Sequence, residues 1–448
     1  MPEHKRTRVR YLIVTMLFAA SAYSYGDRVV LSIAGIALSK ELHMDAVKLG
    51  YLFSGFSWAY VVAQLPAGGL LDRYGSKRVY GLSLVCSSFF AFLVGFAGYL
   101  PAALAFAVIF GLRLMAGLAH SPIFPGNGRI VAAWFPTAER GRASAIFNSS
   151  QYFALVLFAP IMGWLTHTLG WRSCFWFLTI IGLSLAAIWS KVIYGVRSHP
   201  RIDQGEIDHI ERGGGLTAIE PGTTTTQAKP ANKLTWSAIR MLLSNRMLVG
   251  VYIGQYCITT LTWFFITWFP VYLSQARHMS IVKVGIVAAL PALCGSVGGI
   301  LGGVVSDKLL QLGHSLTFAR KAPIVGGMLL SVTMIGCNYA NAQWVVIALM
   351  SLAFFGKGFG ALGWTVIADT SPKGLVGING GLFNLIGNMA GITTPIVIGY
   401  LVKRTGSFND ALIFVAATAL MAIVAYLPIV GEIKRAELKY PQPEGGVA

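Results

Sequence analysis

Asp27 and Arg28 stand side by side in the middle of a long apolar run, and the two side chains suit different work. A carboxylate can take up and release a proton. A guanidinium stays charged when buried and grips another carboxylate through two parallel hydrogen bonds. A charge at the centre of a bilayer costs about 2.5–3.5 kcal/mol on insertion scales, so each one there requires a partner or a function. Asp27 is the only acidic residue near the middle of such a run; the other sixteen lie at run ends, in loops or in tails. Successive helical residues point about 100° apart, so a local pair between Asp27 and Arg28 is poorly aimed, and a proton-carrying role for Asp27 is favoured. Arg113 reads equally as a structural cation or as a member of a coupling network. Lys357 precedes Trp364 by seven residues, which puts both on one helix face about two turns apart. Its alternative is a lysine whose flexible stem reaches the polar face.

Helices long enough to cross a membrane must position these residues. The chain of 448 residues is 55% hydrophobic and 12% charged, about half the charge of an ordinary soluble domain. About 20 apolar residues are needed per crossing. Such runs fall at 11–37, 47–71, 79–98, 101–124, 143–166, 173–193, 247–272, 284–306, 322–338, 342–368, 374–402 and 411–431. Two uncharged stretches too long for one crossing are each split at a turn signal, Gly98-Tyr99-Leu100-Pro101 and Asn338-Tyr339-Ala340-Asn341. The fold class is therefore an all-α membrane protein with twelve spans. The basic first ten residues lead into a run that continues past Arg28 with no clear cleavage site, so it reads as a retained first helix.

The net charge of +18 does not point to nucleic acid, because the cations cluster between apolar runs rather than along a readout face. With the N-terminus cytoplasmic, 24 lysines and arginines fall on the cytoplasmic side and 7 on the other, and the positive-inside rule then places both termini in the cytoplasm. The five cysteines show no metal spacing and read as free buried thiols. A polar stretch rich in glycine and threonine, with a short amphipathic helix expected around Glu206–Arg212, separates six runs from six. The expected division is an N-terminal half (1–196), a cytoplasmic central loop (197–245), a C-terminal half (246–433) and a cytoplasmic tail (434–448). The halves repeat a motif: Gly68 precedes Asp72-Arg73 after the second run, and Gly303 precedes Asp307-Lys308 after the eighth. Glycine permits close helix approach, and the aspartate can cap a helix or pair with arginine. Duplicated halves with a midplane site are the hallmark of secondary transporters.

The stretch Gly68…Asp72-Arg73…Gly75…Lys77-Arg78 resembles the loop motif of the major facilitator superfamily. Tyr25-Gly26-Asp27-Arg28, Phe124-Pro125-Gly126-Asn127, Ala133-Trp134-Phe135-Pro136 and Phe354-Phe355-Gly356-Lys357-Gly358 resemble its anion:cation symporter branch, most closely the bacterial glucarate/galactarate:proton symporters. The resemblance runs over nearly the whole chain. It implies that Asp27 is the coupling acid and Arg28 the residue that binds a substrate carboxylate. It also implies a sugar-acid site lined by Tyr25, Tyr60, Gln151, Trp364 and Asn384, with Thr365 and Gln255 as weaker candidates. Lys357 stands where galactonate carriers have a neutral residue, so Arg28 and Lys357 together would match a substrate with a carboxylate at each end. One departure stands out: where the family usually has a glutamate, this chain reads Gly117-Leu118-Ala119-His120. His120 is then expected to take over a proton-carrying role, or else to act as a neutral hydrogen-bonding residue beside Asp27. The implied function is symport of a hexarate dianion with protons across the inner membrane, with no cofactor beyond the coupling proton, by a monomer in the lipid bilayer. A carrier of another sugar acid such as an aldonate is the alternative, and a proton-driven drug exporter a more distant one. No nucleophile–base pair or metal-ligand cluster in the runs suggests an enzyme.

Overall fold

The computed structural model describes residues 7–217, 236–372 and 375–437. Met1 to Arg6, the threonine run Thr223–Thr226, Lys373 and the tail beyond residue 437 lie outside the described residues. Among the described residues there are twelve long helical segments: α1 (Val9–Glu41), α2 (Ala46–Tyr74), α3 (Ser76–Ala97), α4 (Ala102–Trp134), α5 (Arg140–Leu169), α6 (Trp171–Val192), α7 (Arg246–Gln275), α8 (Ile281–Gln311), α9 (Leu316–Asn338), α10 (Gln343–Thr370), α11 (Val376–Thr405) and α12 (Asn409–Ile429). Ten of them carry windows of mean hydropathy 1.3–2.4. The other two, α1 and α2, carry Asp27, Arg28 and Tyr60.

The runs read from sequence match these helices one for one, with differences at the ends. The fourth extends ten residues beyond residue 124 because the chain bends at Ser121-Pro122 and resumes its helix at Ile123. In α10 a 3-10 turn at Phe359–Leu362 separates Lys357 from Trp364, so their shared aspect depends on a distorted turn rather than on regular helical spacing. A second short helix, Trp236–Leu243, precedes α7 and was not anticipated.

Packing repeats at an interval of six helices. Within the first six, α1 packs on α5, α2 on α4, and α3 on both α4 and α6. Within the last six, α7 packs on α11, α8 on α10, and α9 on both α10 and α12. The halves meet through α5 against α8 and α2 against α11, contacts that exchange under the same shift. The repeated motif closes each time on a left-handed glycine, Gly75 (φ +81°) after α2 and Gly313 (φ +84°) after α8, a conformation disfavoured for residues with a side chain.

Contact between the halves is tight at the face opposite the central loop. A Cβ on Gly50 would lie 2.5 Å from the Pro395 carbonyl oxygen, and one on Gly399 2.6 Å from that of Ala46. Gly285 would meet the Ala159 carbonyl at 2.6 Å and Gly163 that of Ile281 at 2.8 Å. Lys403 bonds Asp45 across the same seam at 2.9 Å. The Lys48 amide and the Lys403 ammonium hold the Asp45 carboxyl below the usual carboxylate range, so the pair stays ionised.

At the loop face the same helix stripes are apart. On α11 the positions 399, 395, 391, 388, 384, 381 and 377 share one face by their spacing of three and four. That stripe runs from the seam, through the interior, to Gly381 and Gly377, where an added Cβ would meet nothing within 4 Å. Gly68 and Gly303 are likewise in open space, so the close approach expected at the motif glycines is absent here. The reason is conformational: the halves touch at the opposite face and diverge toward the loop. Asp72 bonds Arg129 of α4, Asp307 lies 3.6 Å from Arg320, and Arg320 also bonds Asp369 at 2.9 Å. Arg73 and Lys308 are exposed.

The first part of the central loop is docked on the N-terminal half. A helix at Gln204–Arg212 is present where amphipathicity placed one. Its Glu206, fully buried, accepts from the amides of Val9 and Arg10 at 2.9 and 3.2 Å and pairs with the Arg10 guanidinium at 3.0 Å. A carboxylate from the loop therefore caps the start of α1, which has no side-chain cap of its own. All five cysteines are free.

Candidate functional site

Helical geometry separates Asp27 from Arg28. Ser24 and Asp27 are three apart and face α4; Tyr25 and Arg28 are three apart and face the space between the halves. Asp27 is 1% exposed and accepts from Arg113 Nη1 at 2.9 Å. Arg113 is thus the partner of the acid, a place that suits a structural cation and a member of a coupling network alike. His120 lies two turns further along the same face of α4, fully buried, with Nδ1 bonded to Ser24 Oγ at 2.8 Å and Nε2 3.8 Å from Asp27 Oδ2. Gly117, between Arg113 and His120, makes this possible. A Cβ there would lie 2.1 Å from the Phe56 carbonyl oxygen, so α2 and α4 approach too closely for any other residue.

Arg28 faces the other way. It is 6% exposed, and its Nε and Nη2 are buried with no hydrogen-bond partner among the described residues. The guanidinium carbon sits 4.9 Å from the Tyr25 ring, 4.7 Å from Phe56, 4.8 Å from Tyr60 and 5.9 Å from Trp263. Cation–π contacts contribute about 0.5–2 kcal/mol each and offset part of the burial cost without using the N–H donors. The donors remain available to a carboxylate.

Arg28 lies in the wall of a central cavity of about 860 Å³, counting its open mouth. Tyr25, Tyr60, Gln151, Lys357, Trp364, Asn384 and Gln255 all line it. Thr365 does not; one residue beyond Trp364, it is rotated by about 100° and half-buried beside the cavity. Lys357, on the opposite half from Arg28, is 7% exposed with its ammonium over the rings of Phe354 (5.1 Å) and Tyr152 (5.6 Å). Among the described residues, none that lines the cavity is acidic. The cavity thus has a cation from each half and no counter-charge. Between them lie amides and hydroxyls: Gln255, which bonds Thr259 at 3.3 Å, and Asn388, which bonds Asn384 at 3.0 Å. The aromatic faces of Trp263 and Trp364 complete the wall.

Several of these residues escaped the sequence reading although a signal existed. Thr259 and Thr262 follow Gln255 at a helical interval on α7, and Asn388 follows Asn384 by one turn. Phe56 precedes Tyr60 by one turn of α2 and stacks on it at 5.4 Å. Asn127, seen in sequence only as part of a family stretch, ties α1, α3 and α4 together: it donates to Ser21 at 2.8 Å and accepts from Tyr80 at 3.0 Å.

Twelve helices in a sixfold-shifted packing, with a polar site between two halves, define the class, and comparison with known proteins agrees. The chain belongs to the Major Facilitator Superfamily, whose family model matches residues 16–392. It is a transporter rather than an enzyme. It is 57% identical over 438 residues to a probable galactarate/D-glucarate transporter of Bacillus subtilis (strain 168), covering 98% of this chain and 95% of that one. It is 55% identical over 435 residues to a protein of the same description from Escherichia coli (strain K12), covering 97% and 96%. In fold it is similar to a crystal structure of a D-xylose-proton symporter, with a TM-score of 0.70 at 13% identity, covering 95% of this chain and 98% of that one.

Proposed function

We propose that this chain carries a hexarate dianion of the glucarate/galactarate type across the bacterial inner membrane together with protons, by alternating access of its two halves. The observation that carries the reading is the acid-free cavity with one cation from each half, Arg28 and Lys357. A hexarate has a carboxylate at each end and four hydroxyls between; the amides and hydroxyls of the cavity wall suit the middle and the two cations the ends. The printed descriptions of the two relatives support the same substrate class. With the cation-rich loop face in the cytoplasm, as the 24-to-7 asymmetry favours, the conformer is closed outside and open inside. Direct binding tests the substrate. Purified protein should bind glucarate and galactarate more tightly than an aldonate of the same length, since the aldonate leaves Lys357 without a partner; tighter aldonate binding would overturn the reading.

Coupling belongs to the buried group Asp27–Arg113–His120, which is separate from the cavity. The His120 imidazole near Asp27 serves as a second proton acceptor, changing between neutral and +1. A proton on it adds positive charge beside a dianion site, so proton and substrate assist each other, and the coupling is reciprocal. Glucarate affinity should therefore strengthen as pH falls. His120→Gln should flatten that dependence and His120→Glu restore part of it. Unchanged pH dependence in His120→Gln would leave Asp27 as sole carrier.

A further inference from the structure

Phe56 separates two groups of opposite purpose. Its ring lies 4.7 Å from the Arg28 guanidinium on the cavity side. Towards α4 it lies 5.4 Å from the Arg113 guanidinium and 5.4 Å from the His120 ring. It is 1% exposed, and the α2 backbone that bears it is pressed against Gly117 of α4, where its carbonyl leaves no room for a Cβ. Asp27 and Arg28 are neighbours in the chain, of opposite charge, and both buried in a low-dielectric interior, where unlike charges attract strongly. They are nevertheless not paired: Asp27 bonds Arg113, while two Arg28 nitrogens have no partner among the described residues.

We infer, resting on the substrate reading above, that Phe56 is a positioning residue for symport: its ring partitions Arg28 from Asp27, so that the acid cannot neutralise the guanidinium that must receive the substrate carboxylate. The arrangement follows from what each partner needs. Were the carboxylate of Asp27 to reach Arg28, it would occupy the donors that the substrate uses, and every binding event would first have to break that pair. With the ring in place, Asp27 has Arg113 alone as a strong partner, and Arg28 has only aromatic faces, which leave its N–H edge open. Among the described residues, the other titratable or charged groups facing this region are Tyr23 and Tyr25 on α1, Tyr60 on α2, His120 and Arg113 on α4, and Lys357 of α10 across the cavity. None of them is a carboxylate, so Asp27 is the one acid that the ring has to hold back.

Glucarate binding to the purified full-length protein at one fixed pH tests this as a double-mutant cycle. Phe56→Ala removes the partition and should weaken binding by about tenfold or more, the scale of a lost charge-assisted contact. Phe56→Leu, which keeps apolar bulk, should weaken it less. In an Asp27→Asn background the same Phe56 substitutions should cost little, because no acid remains to invade the Arg28 site. A purely packing role predicts an equal loss in both backgrounds, and that result overturns the inference, as does wild-type affinity in both Phe56 variants. If the alanine variant does not fold, the leucine pair decides. Wild-type protein that fails to bind any hexarate would contradict the substrate reading instead; the cycle then runs with whichever monocarboxylate the protein does bind, since the partition concerns Arg28 alone.

Discussion

Asp27→Asn protein is expected to bind hexarate and to equilibrate it across a membrane, yet not to concentrate it. Asparagine is nearly isosteric with aspartate and can still accept from Arg113 Nη1, now 2.9 Å from the acid, so the contact between α1 and α4 survives in shape. It cannot exchange a proton. Removing the negative charge also leaves the core more positive, which favours the dianion and keeps binding intact. The loss therefore falls on coupling: accumulation driven by a proton gradient should vanish, and exchange of labelled for unlabelled substrate should continue. Accumulation at the wild-type level would remove Asp27 from the coupling step.

Lys357→Asn should produce the largest change in selectivity. Among the described residues, the ammonium of Lys357 is the only cation in the cavity wall besides Arg28, and it has aromatic rings around it. Truncating one partner of a buried charge pair costs about 2–5 kcal/mol, or about thirtyfold or more in affinity. Glucarate and galactarate lose that partner; a monocarboxylate held by Arg28 does not. Binding of the two classes should therefore converge. An equal loss for both would assign Lys357 to folding or to the movement of the halves.

The features legible in sequence were those that follow from burial and period. Twelve runs of apolar residues gave twelve helices, because a bilayer leaves a chain few other ways to satisfy its backbone. The 100° between Asp27 and Arg28 was enough to foretell that they face different partners, and the repeated motif foretold the duplicated packing. What stayed hidden depended on contacts between helices. Nothing local marks Arg113 as the partner of Asp27, since eighty-six residues separate them. Nor does anything mark Glu206, deep in a polar loop, as the cap of α1. Gly68 and Gly303 looked like close-approach residues, but a single conformer uses only the seam that is closed, at Gly50, Gly163, Gly285 and Gly399. Thr365 came with Trp364 from the resemblance, but consecutive helical residues point about 100° apart, and of the two only Trp364 lines the cavity.

Labelled glucarate uptake into sealed vesicles containing the purified protein bears most directly on proton-coupled hexarate transport. With the vesicle interior alkaline relative to the outside, glucarate should accumulate above its external concentration. The internal pH should fall in step, and unlabelled galactarate should abolish the signal. Glucarate that only equilibrates under the imposed gradient, with no accompanying movement of protons, would contradict it.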